Sequence, residues 1–132
     1  MKSLIAVLAT AAIASTAFAA SNVEKLPSGV VVEHIKQGTG AQPTANDVVR
    51  VSYRGTLANG TEFDSSDKHG GPASFPLGRV IPCWTQGLQT MKVGGKAKLT
   101  CPAATAYGDR AVGPIPPNSD LTFEVELIGI GK

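Results

Sequence analysis

Alternating apolar and polar positions run through much of this chain and predict β-strands. The longest run covers residues 47–57, where Val49, Val51 and Tyr53 fall on one face and polar or charged side chains on the other. A strand produces this period of two because successive side chains point to opposite faces of a sheet. Shorter runs predict further strands at 30–36, 61–63, 74–77, 96–100 and 121–130. The chain is therefore expected to be rich in β-structure.

One segment has helical spacing instead. In residues 82–91, Trp84, Leu88 and Met91 recur at helical intervals, and Pro82 suits a first helical turn. Several strands with a single short helix predict the α+β class, with an antiparallel sheet wrapped around that helix.

Polar and Gly/Pro-bearing stretches separate these elements. Residues 20–28 are polar and contain Pro27, so we expect a flexible lead-in there. Residues 64–71 are expected to form a loop, and 103–118 a long connection. Because no repeat or linker interrupts the remainder, we expect one folded domain over 29–132.

Residues 1–19 have the pattern of an export signal. Lys2 precedes an apolar run at 4–14, and Ala17-Phe18-Ala19 matches the small-x-small pattern of signal peptidase sites. An uncleaved membrane anchor is the alternative, but spanning a bilayer takes about 20 apolar residues and this run is shorter. We therefore expect cleavage after Ala19 and an exported chain that does not stay inserted in the membrane. The periplasm is favoured over release from the cell.

The charged and metal-ligating residues argue against several classes of function. The 12 basic and 10 acidic residues are scattered, which disfavours a nucleic-acid partner. His34 and His69 lack metal-ligand spacing with the cysteines, so no metal site is expected. Gly38-Thr39-Gly40 lacks the third glycine of a dinucleotide loop, and no nucleophile elbow occurs. The sequence predicts neither a cofactor nor covalent catalysis.

The two cysteines leave three alternatives open. In an oxidising compartment, Cys83 and Cys101 could form one disulfide. They could also be two buried thiols, or one of them could be exposed. Pairing requires Cα atoms within about 7 Å, which sequence spacing does not establish.

Six short fragments together carry a family resemblance. They occur in one order at compatible spacings: VSYRGTL at 51–57, GTEFDSS at 60–66, FPLGRVIPCW at 75–84, AYG at 106–108, IPPN at 115–118 and LTFEVEL at 121–127. Each fragment is weak alone, but the combination is specific. It closely resembles the FKBP-type peptidyl-prolyl cis-trans isomerases, the immunophilin family that binds the macrolide FK506. The resemblance runs from about residue 29 to residue 130.

The resemblance implies a fold and a set of site residues. The family fold is a twisted antiparallel β-sheet curled around one short α-helix, with the active site in the hollow between them. The catalytic set carried over by position is Tyr53, Phe63, Asp64, Tyr107 and Phe123. The substrate-binding set carried over in the same way is Phe75, Val80, Ile81, Trp84 and Ile115. Trp84 is expected at the base of the hollow, and Tyr107 and Ile115 in or beside a flap.

It also implies an activity and partners. The expected reaction is non-covalent acceleration of X-Pro bond rotation in exported proteins. Proline-containing polypeptides are the expected substrates, macrolides such as FK506 are expected inhibitors, and the short lead-in favours a monomer. A peptide-binding module or holdase with negligible turnover is the alternative. Joint retention of five of these site residues favours the enzyme: Trp84, Tyr107, Phe63, Asp64 and Phe123.

Some positions depart from the family pattern. Cys83 replaces a frequent glycine, and Cys101 falls near it in the family fold, which favours the disulfide. His69 stands where arginine is common and Ala73 where an aromatic residue is usual. The segment between Gly108 and Ile115 looks one residue short and lacks a frequent histidine. These departures bear on substrate preference and macrolide affinity.

Overall fold

The computed structural model describes residues 22–131. The predicted signal peptide lies outside the described residues. The strands and the α-helix are, in chain order, β1 (Val23–Lys25), β2 (Val31–Lys36), β3 (Val48–Leu57), β4 (Glu62–Ser65), β5 (Ala73–Pro76), α1 (Pro82–Leu88), β6 (Lys96–Cys101) and β7 (Leu121–Gly131). Short 3-10 helices lie at Ser66–His69, Leu77–Arg79 and Ala103–Thr105.

The strands described above join one antiparallel sheet. Six of them follow the order β1-β2-β6-β7-β3-β4, and β5 pairs with β3 outside this order. The long strand β3 lies beside β7 over its whole length, from Val48 opposite Gly131 to Leu57 opposite Leu121. Its other edge is shared, because β5 pairs with its first half and β4 with its second half. With α1 as the one α-helix among residues 22–131, this arrangement confirms the predicted α+β class.

The predicted alternation decides which face of the sheet is buried. Val49 and Val51 of β3 and Val125 and Leu127 of β7 have no exposed surface. Helix α1 covers this face and buries Trp84, Leu88 and Gly87 against it. A Cβ atom on Gly87 would lie 3.0 Å from Leu99 Cδ2, so glycine lets α1 approach β6 closely. The core is the layer between α1 and the inner face of the sheet.

Helix α1 ends at Leu88, earlier than the predicted limit of Met91. After Leu88, the N–H groups of Thr90 and Met91 donate to the carbonyls three residues before them, which tightens the last turn. Met91 is nevertheless buried in the core. The apolar spacing therefore identified Met91 as a buried residue correctly but overestimated the length of the helix.

The predicted flexible lead-in at 20–28 is wrong for Val23–Lys25. These residues form β1, paired with β2 in the register Val23 opposite Glu33. Glu24 Oε1 also lies 2.8 Å from Nε2 of the buried His34. All three β1 residues are exposed, so no alternation marks the strand, and its conformation depends on pairing with β2.

The predicted loop at 64–71 is also partly ordered. Its first residues complete β4, and Ser66–His69 form a 3-10 helix that ends at Gly70 with a positive φ of 93°. Buried Ser66 ties this turn to β3, since its hydroxyl accepts a hydrogen bond from the N–H of Tyr53 at 3.0 Å.

Cys83 and Cys101 form a disulfide between α1 and the end of β6. Their Cα atoms are 5.6 Å apart and neither side chain is exposed. Of the three alternatives open at the sequence level, the structure has the bonded one. The bond fixes α1 to the sheet directly beside Trp84.

Candidate active site

A cavity of about 350 Å³ lies between α1 and the inner face of the sheet. Its ten lining residues are Tyr53, Phe63, Asp64, Phe75, Arg79, Val80, Ile81, Trp84, Tyr107 and Phe123. Nine of these belong to the sets carried over by resemblance. Arg79 was not anticipated. The tenth expected residue, Ile115, does not line the cavity.

Ile115 is buried like Trp84 and Phe123, but it is not among the residues that line the cavity. Only 4% of its surface is exposed. Its backbone exchanges two hydrogen bonds with Val112, which closes a tight turn in the segment after Tyr107. The family resemblance placed Ile115 in or beside a flap, but motif position does not specify which way a side chain points.

Trp84 forms the base of the cavity through edge-to-face contacts with three other rings. Its ring centroid lies 5.3 Å from that of Tyr53, 5.5 Å from Phe75 and 5.3 Å from Phe123. Phe63 in turn packs on Phe123 with centroids 5.5 Å apart. Such pairs favour one relative orientation of the rings, because positive ring edges meet negative ring faces. The aromatic wall is therefore preorganised.

Gly55 permits this packing, and sequence reasoning did not single it out. A Cβ atom there would lie 2.5 Å from Phe63 Cζ and 2.8 Å from Phe123 Cε1. Any larger residue would displace one of the two rings. The available signal was a glycine in the middle of a long strand, which often marks a close approach of another group.

A short chain of hydrogen bonds holds the only carboxylate in the cavity wall. The Tyr53 hydroxyl donates to Asp64 Oδ2 at 2.9 Å, and His69 Nε2 lies 2.8 Å from Asp64 Oδ1. The N–H of Ser65 also donates to Oδ1 at 2.9 Å. Asp64 is therefore fixed by three neighbours on two strands and the 3-10 turn. His69 enters the site here as a contact of Asp64.

These contacts shift two pKa values in opposite directions. Burial, followed by the hydrogen bond to Asp64, raises the pKa of Tyr53 to about 12. Burial alone would raise the pKa of Asp64 as well, but the hydrogen bonds from His69, Tyr53 and Ser65 outweigh it and lower that pKa below its ordinary value. At neutral pH the pair is a neutral phenol that donates to a charged carboxylate.

Three other donors of the cavity have no acceptor among residues 22–131. They are the backbone N–H of Ile81, the hydroxyl of Tyr107 and the indole Nε1–H of Trp84. Trp84 is 95% buried, since only 5% of its surface is exposed. An unpaired donor inside the protein costs free energy, and a carbonyl group placed in the cavity could accept from the N–H of Ile81 or the hydroxyl of Tyr107.

Sequence comparisons agree with this geometry. The sequence model of the FKBP-type peptidyl-prolyl cis-trans isomerases matches residues 39–128. The FKBP-type isomerase FkpA of Aeromonas hydrophila is 51% identical over 110 residues, which are 83% of this chain and 41% of that protein. The outer membrane protein MIP of Legionella longbeachae is 47% identical over 122 residues, which are 88% of this chain and 52% of that protein. The chain spans about half the length of these curated relatives, or less.

Solved structures of peptidyl-prolyl cis-trans isomerases also match this fold. The crystal structure of FkpA from Escherichia coli matches with a TM-score of 0.79 at 44% identity, covering 92% of this chain and 58% of that one. A peptidyl-prolyl cis-trans isomerase from Pseudomonas syringae pv. tomato matches with a TM-score of 0.78 at 38% identity, covering 90% of this chain and 92% of that one. On its sequence, its fold and the residues of its cavity, the chain belongs to the family of FKBP-type peptidyl-prolyl cis-trans isomerases.

Proposed function

We propose that this chain accelerates cis/trans rotation about X-Pro bonds in proline-containing polypeptides, without a cofactor or a covalent intermediate. One observation carries the proposal: the aromatic cavity over Trp84 offers donors that no described residue uses. A concave apolar site with a few convergent polar groups suits a small ring flanked by carbonyls, and proline in a peptide is such a group.

The chemistry of the X-Pro bond fits an apolar site. Its partial double-bond character gives a rotation barrier of about 18–20 kcal/mol, so uncatalysed isomerisation takes tens to hundreds of seconds. Rotation breaks the amide resonance, and the twisted state therefore carries less charge separation than the planar amide. Surroundings that exclude water disfavour the planar form relative to the twisted one.

Each part of the cavity then has a role. The proline ring packs on Trp84, and the walls formed by Phe63, Phe75, Val80 and Phe123 exclude water from the rotating bond. The N–H of Ile81 and the hydroxyl of Tyr107 donate to carbonyl groups of the substrate. A million-fold acceleration requires only about 8 kcal/mol, which packing, desolvation and oriented dipoles supply without a nucleophile.

Asp64 acts through its charge rather than by proton transfer. Its lowered pKa keeps it ionised at neutral pH, and the pKa of about 12 keeps the phenol of Tyr53 neutral. The carboxylate, held by Tyr53 and His69, sets the electric field at the twisting amide. Charges placed before the reaction cost no reorganisation during it.

A proline-isomerisation assay on a peptide series tests the proposal. We expect Phe123→Ala and Asp64→Ala to lower kcat/KM, while Thr61→Ala, an exposed position on the β3–β4 hairpin outside the cavity, leaves it unchanged. FK506 should inhibit the wild-type protein. Absence of acceleration by folded protein would contradict the enzyme and favour a peptide-binding module. Equal losses in all three variants would mean that the site is elsewhere.

We further propose that the chain works in the periplasm as a monomer after cleavage behind Ala19. The pattern in residues 1–19 supports export. Within the described residues, 22–131, no helix combines the length and the apolar character needed to span a bilayer. Cell fractionation, the N-terminal sequence of the purified protein and light scattering test these three points. A mature chain that begins at Met1 would contradict the export proposal.

A further inference from the structure

Arg79 is the one cavity residue that neither the sequence pattern nor the family resemblance assigned. It is the last residue of the 3-10 turn Leu77–Arg79 and directly precedes Val80 and Ile81 of the cavity wall. Its side chain is exposed. Arg79 therefore brings a permanent positive charge to the mouth of an otherwise largely apolar cavity.

The backbone of this turn is held on both sides. Leu77 is fully buried, and its N–H donates to the carbonyl of Asp47 at 2.9 Å. Its carbonyl accepts a hydrogen bond from Thr85 Oγ1 of α1 at 2.7 Å. Because the turn is fixed to the helix that carries Trp84, the Cα atom of Arg79 keeps its place relative to the cavity base.

The charge of Arg79 has no partner in the part of the chain that the structure describes. Arg79 forms no ion pair there, whereas Arg54 and Lys68 both contact Glu62. The only carboxylate that lines the cavity, Asp64, already accepts from Tyr53, His69 and Ser65. The guanidinium group is thus available to a ligand, and its planar fork suits a carboxylate.

We propose that Arg79 makes this isomerase prefer prolines that have an acidic residue next to them. The inference rests on the proposed function, in which the proline ring packs on Trp84. The residues before and after that proline must then extend out of the cavity through its mouth, where Arg79 lies. A glutamate side chain in one of these positions is within reach of the long arginine side chain.

The expected preference is modest because Arg79 is exposed. Ion pairs between exposed groups correspond to roughly 1.4- to fivefold effects. They weaken with salt, since the screening length is about 30 Å at 0.01 M and only about 3 Å at 1 M. A preference caused by Arg79 must therefore decrease as salt is added, unlike one caused by apolar contacts.

Matched peptides that differ only in charge provide the test. Each of two peptide pairs compares Glu with Gln at one position, which is immediately before the proline in one pair and immediately after it in the other. For each peptide, kcat/KM is measured at low and high salt. We expect the glutamate peptide to be favoured roughly two- to fivefold in at least one pair at low salt, with the ratio approaching one at high salt. The Arg79→Gln variant should bring the ratio close to one at both salt concentrations, and Arg79→Glu should reverse it at low salt. Arg50→Gln removes an exposed arginine of β3 outside the cavity and serves as the control.

Two results would overturn the inference: equal rates on the two peptides of both pairs, or a preference that persists in Arg79→Gln. The dissociation constants of the same peptides are also measured by titration, with the fluorescence of Trp84, the only tryptophan of the chain, as the signal. If the protein binds peptides without turning them over, the proposed function fails. The ratio of the two dissociation constants then still tests Arg79.

Discussion

The two faces of the central strands offer very different surroundings to a ligand. On the inner face, Tyr53 of β3 and Phe123 of β7 take part in the aromatic cavity. One residue further along each strand, Arg54 and Glu124 lie opposite each other on the outer face. The period of two of a β-strand thus places an apolar site and a charged surface on opposite sides of the same backbone.

The outer face has a groove of about 420 Å³, larger than the aromatic cavity. Its charged lining groups include Glu62, whose Oε1 lies 2.6 Å from Arg54 Nε and whose Oε2 lies 3.5 Å from Lys68 Nζ. The hydrogen bond from Arg54 contributes most to lowering the pKa of Glu62, against a smaller opposing effect of desolvation. A ligand in this groove would have to compete with existing ion pairs and with water.

Volume alone therefore does not distinguish the candidate active site from the outer groove. The inner cavity is smaller, but its walls are rigid aromatic rings and several of its donors have no partner among the described residues. The outer groove is larger, but Glu62 in its lining is already paired with Arg54 and Lys68.

The largest difference is expected between neighbouring residues of β7. Phe123→Ala removes a nearly buried ring from the inner face and should lower the free energy of unfolding by about 3–5 kcal/mol. Glu124→Ala on the outer face should change it by about 0.5 kcal/mol or less. Urea unfolding curves measure both. Similar losses in the two variants would mean that the faces do not differ as described.

Removal of the disulfide should have the next largest effect. Cys83 and Cys101 are separated by 18 positions, and a loop of this size corresponds to about 3 kcal/mol of stabilisation. The double variant Cys83→Ala/Cys101→Ala should unfold at a lower urea concentration. As a control, reductant should destabilise the wild-type protein and leave the double variant unchanged. Two titratable thiols in the unreduced wild-type protein would contradict the bond.

Two glycine substitutions compare a position crowded by aromatic rings with a position that has free space around it. Gly55→Ala would push a methyl group against Phe63 and Phe123, and it should cost about 1–3 kcal/mol of stability. We expect kcat/KM for X-Pro rotation to fall about tenfold or more, which corresponds to about 1.4 kcal/mol. The control is Gly129→Ala in β7, where nothing lies within 4 Å of an added Cβ atom. Full activity in Gly55→Ala would show that ring placement is unimportant.

The smallest effect concerns Asp64. Because folding lowers its pKa, Asp64 stabilises the folded state above its unfolded-state pKa of about 3.9, and this contribution disappears as the pH falls through and below that value. Asp64→Asn should therefore be slightly less stable than the wild type at neutral pH, with the difference shrinking below about pH 4. Thermal unfolding at several pH values measures it. A difference that grows on acidification would contradict the assignment.

The sequence predicted the inner face well for a simple physical reason. Burial on one side of a sheet imposes strict alternation, so residues such as Val51 and Val125 could be placed from the pattern alone. The family resemblance added the cavity residues that alternation does not reach, such as Asp64 and Tyr107. Nine of its ten carried-over positions line the cavity.

The remaining features depend on contacts that a pattern does not encode. Strand β1 has three exposed residues and is defined by its partner β2. Arg79 reaches the cavity because a buried neighbour, Leu77, fixes the turn that carries it. Gly55 matters only because two rings from other strands meet above it. Each of these depends on distances between segments far apart in the chain.

An NMR exchange measurement on an X-Pro peptide with a small amount of the protein tests directly whether rotation takes place in the cavity over Trp84. The chain has one tryptophan, so a single indole Nε1–H resonance reports on the base of the cavity. We expect faster exchange between the cis and trans signals of the peptide, together with a shift of the Trp84 indole resonance. FK506 should abolish both. Unchanged exchange, or faster exchange with an unperturbed indole resonance, would contradict the claim that rotation takes place in this cavity.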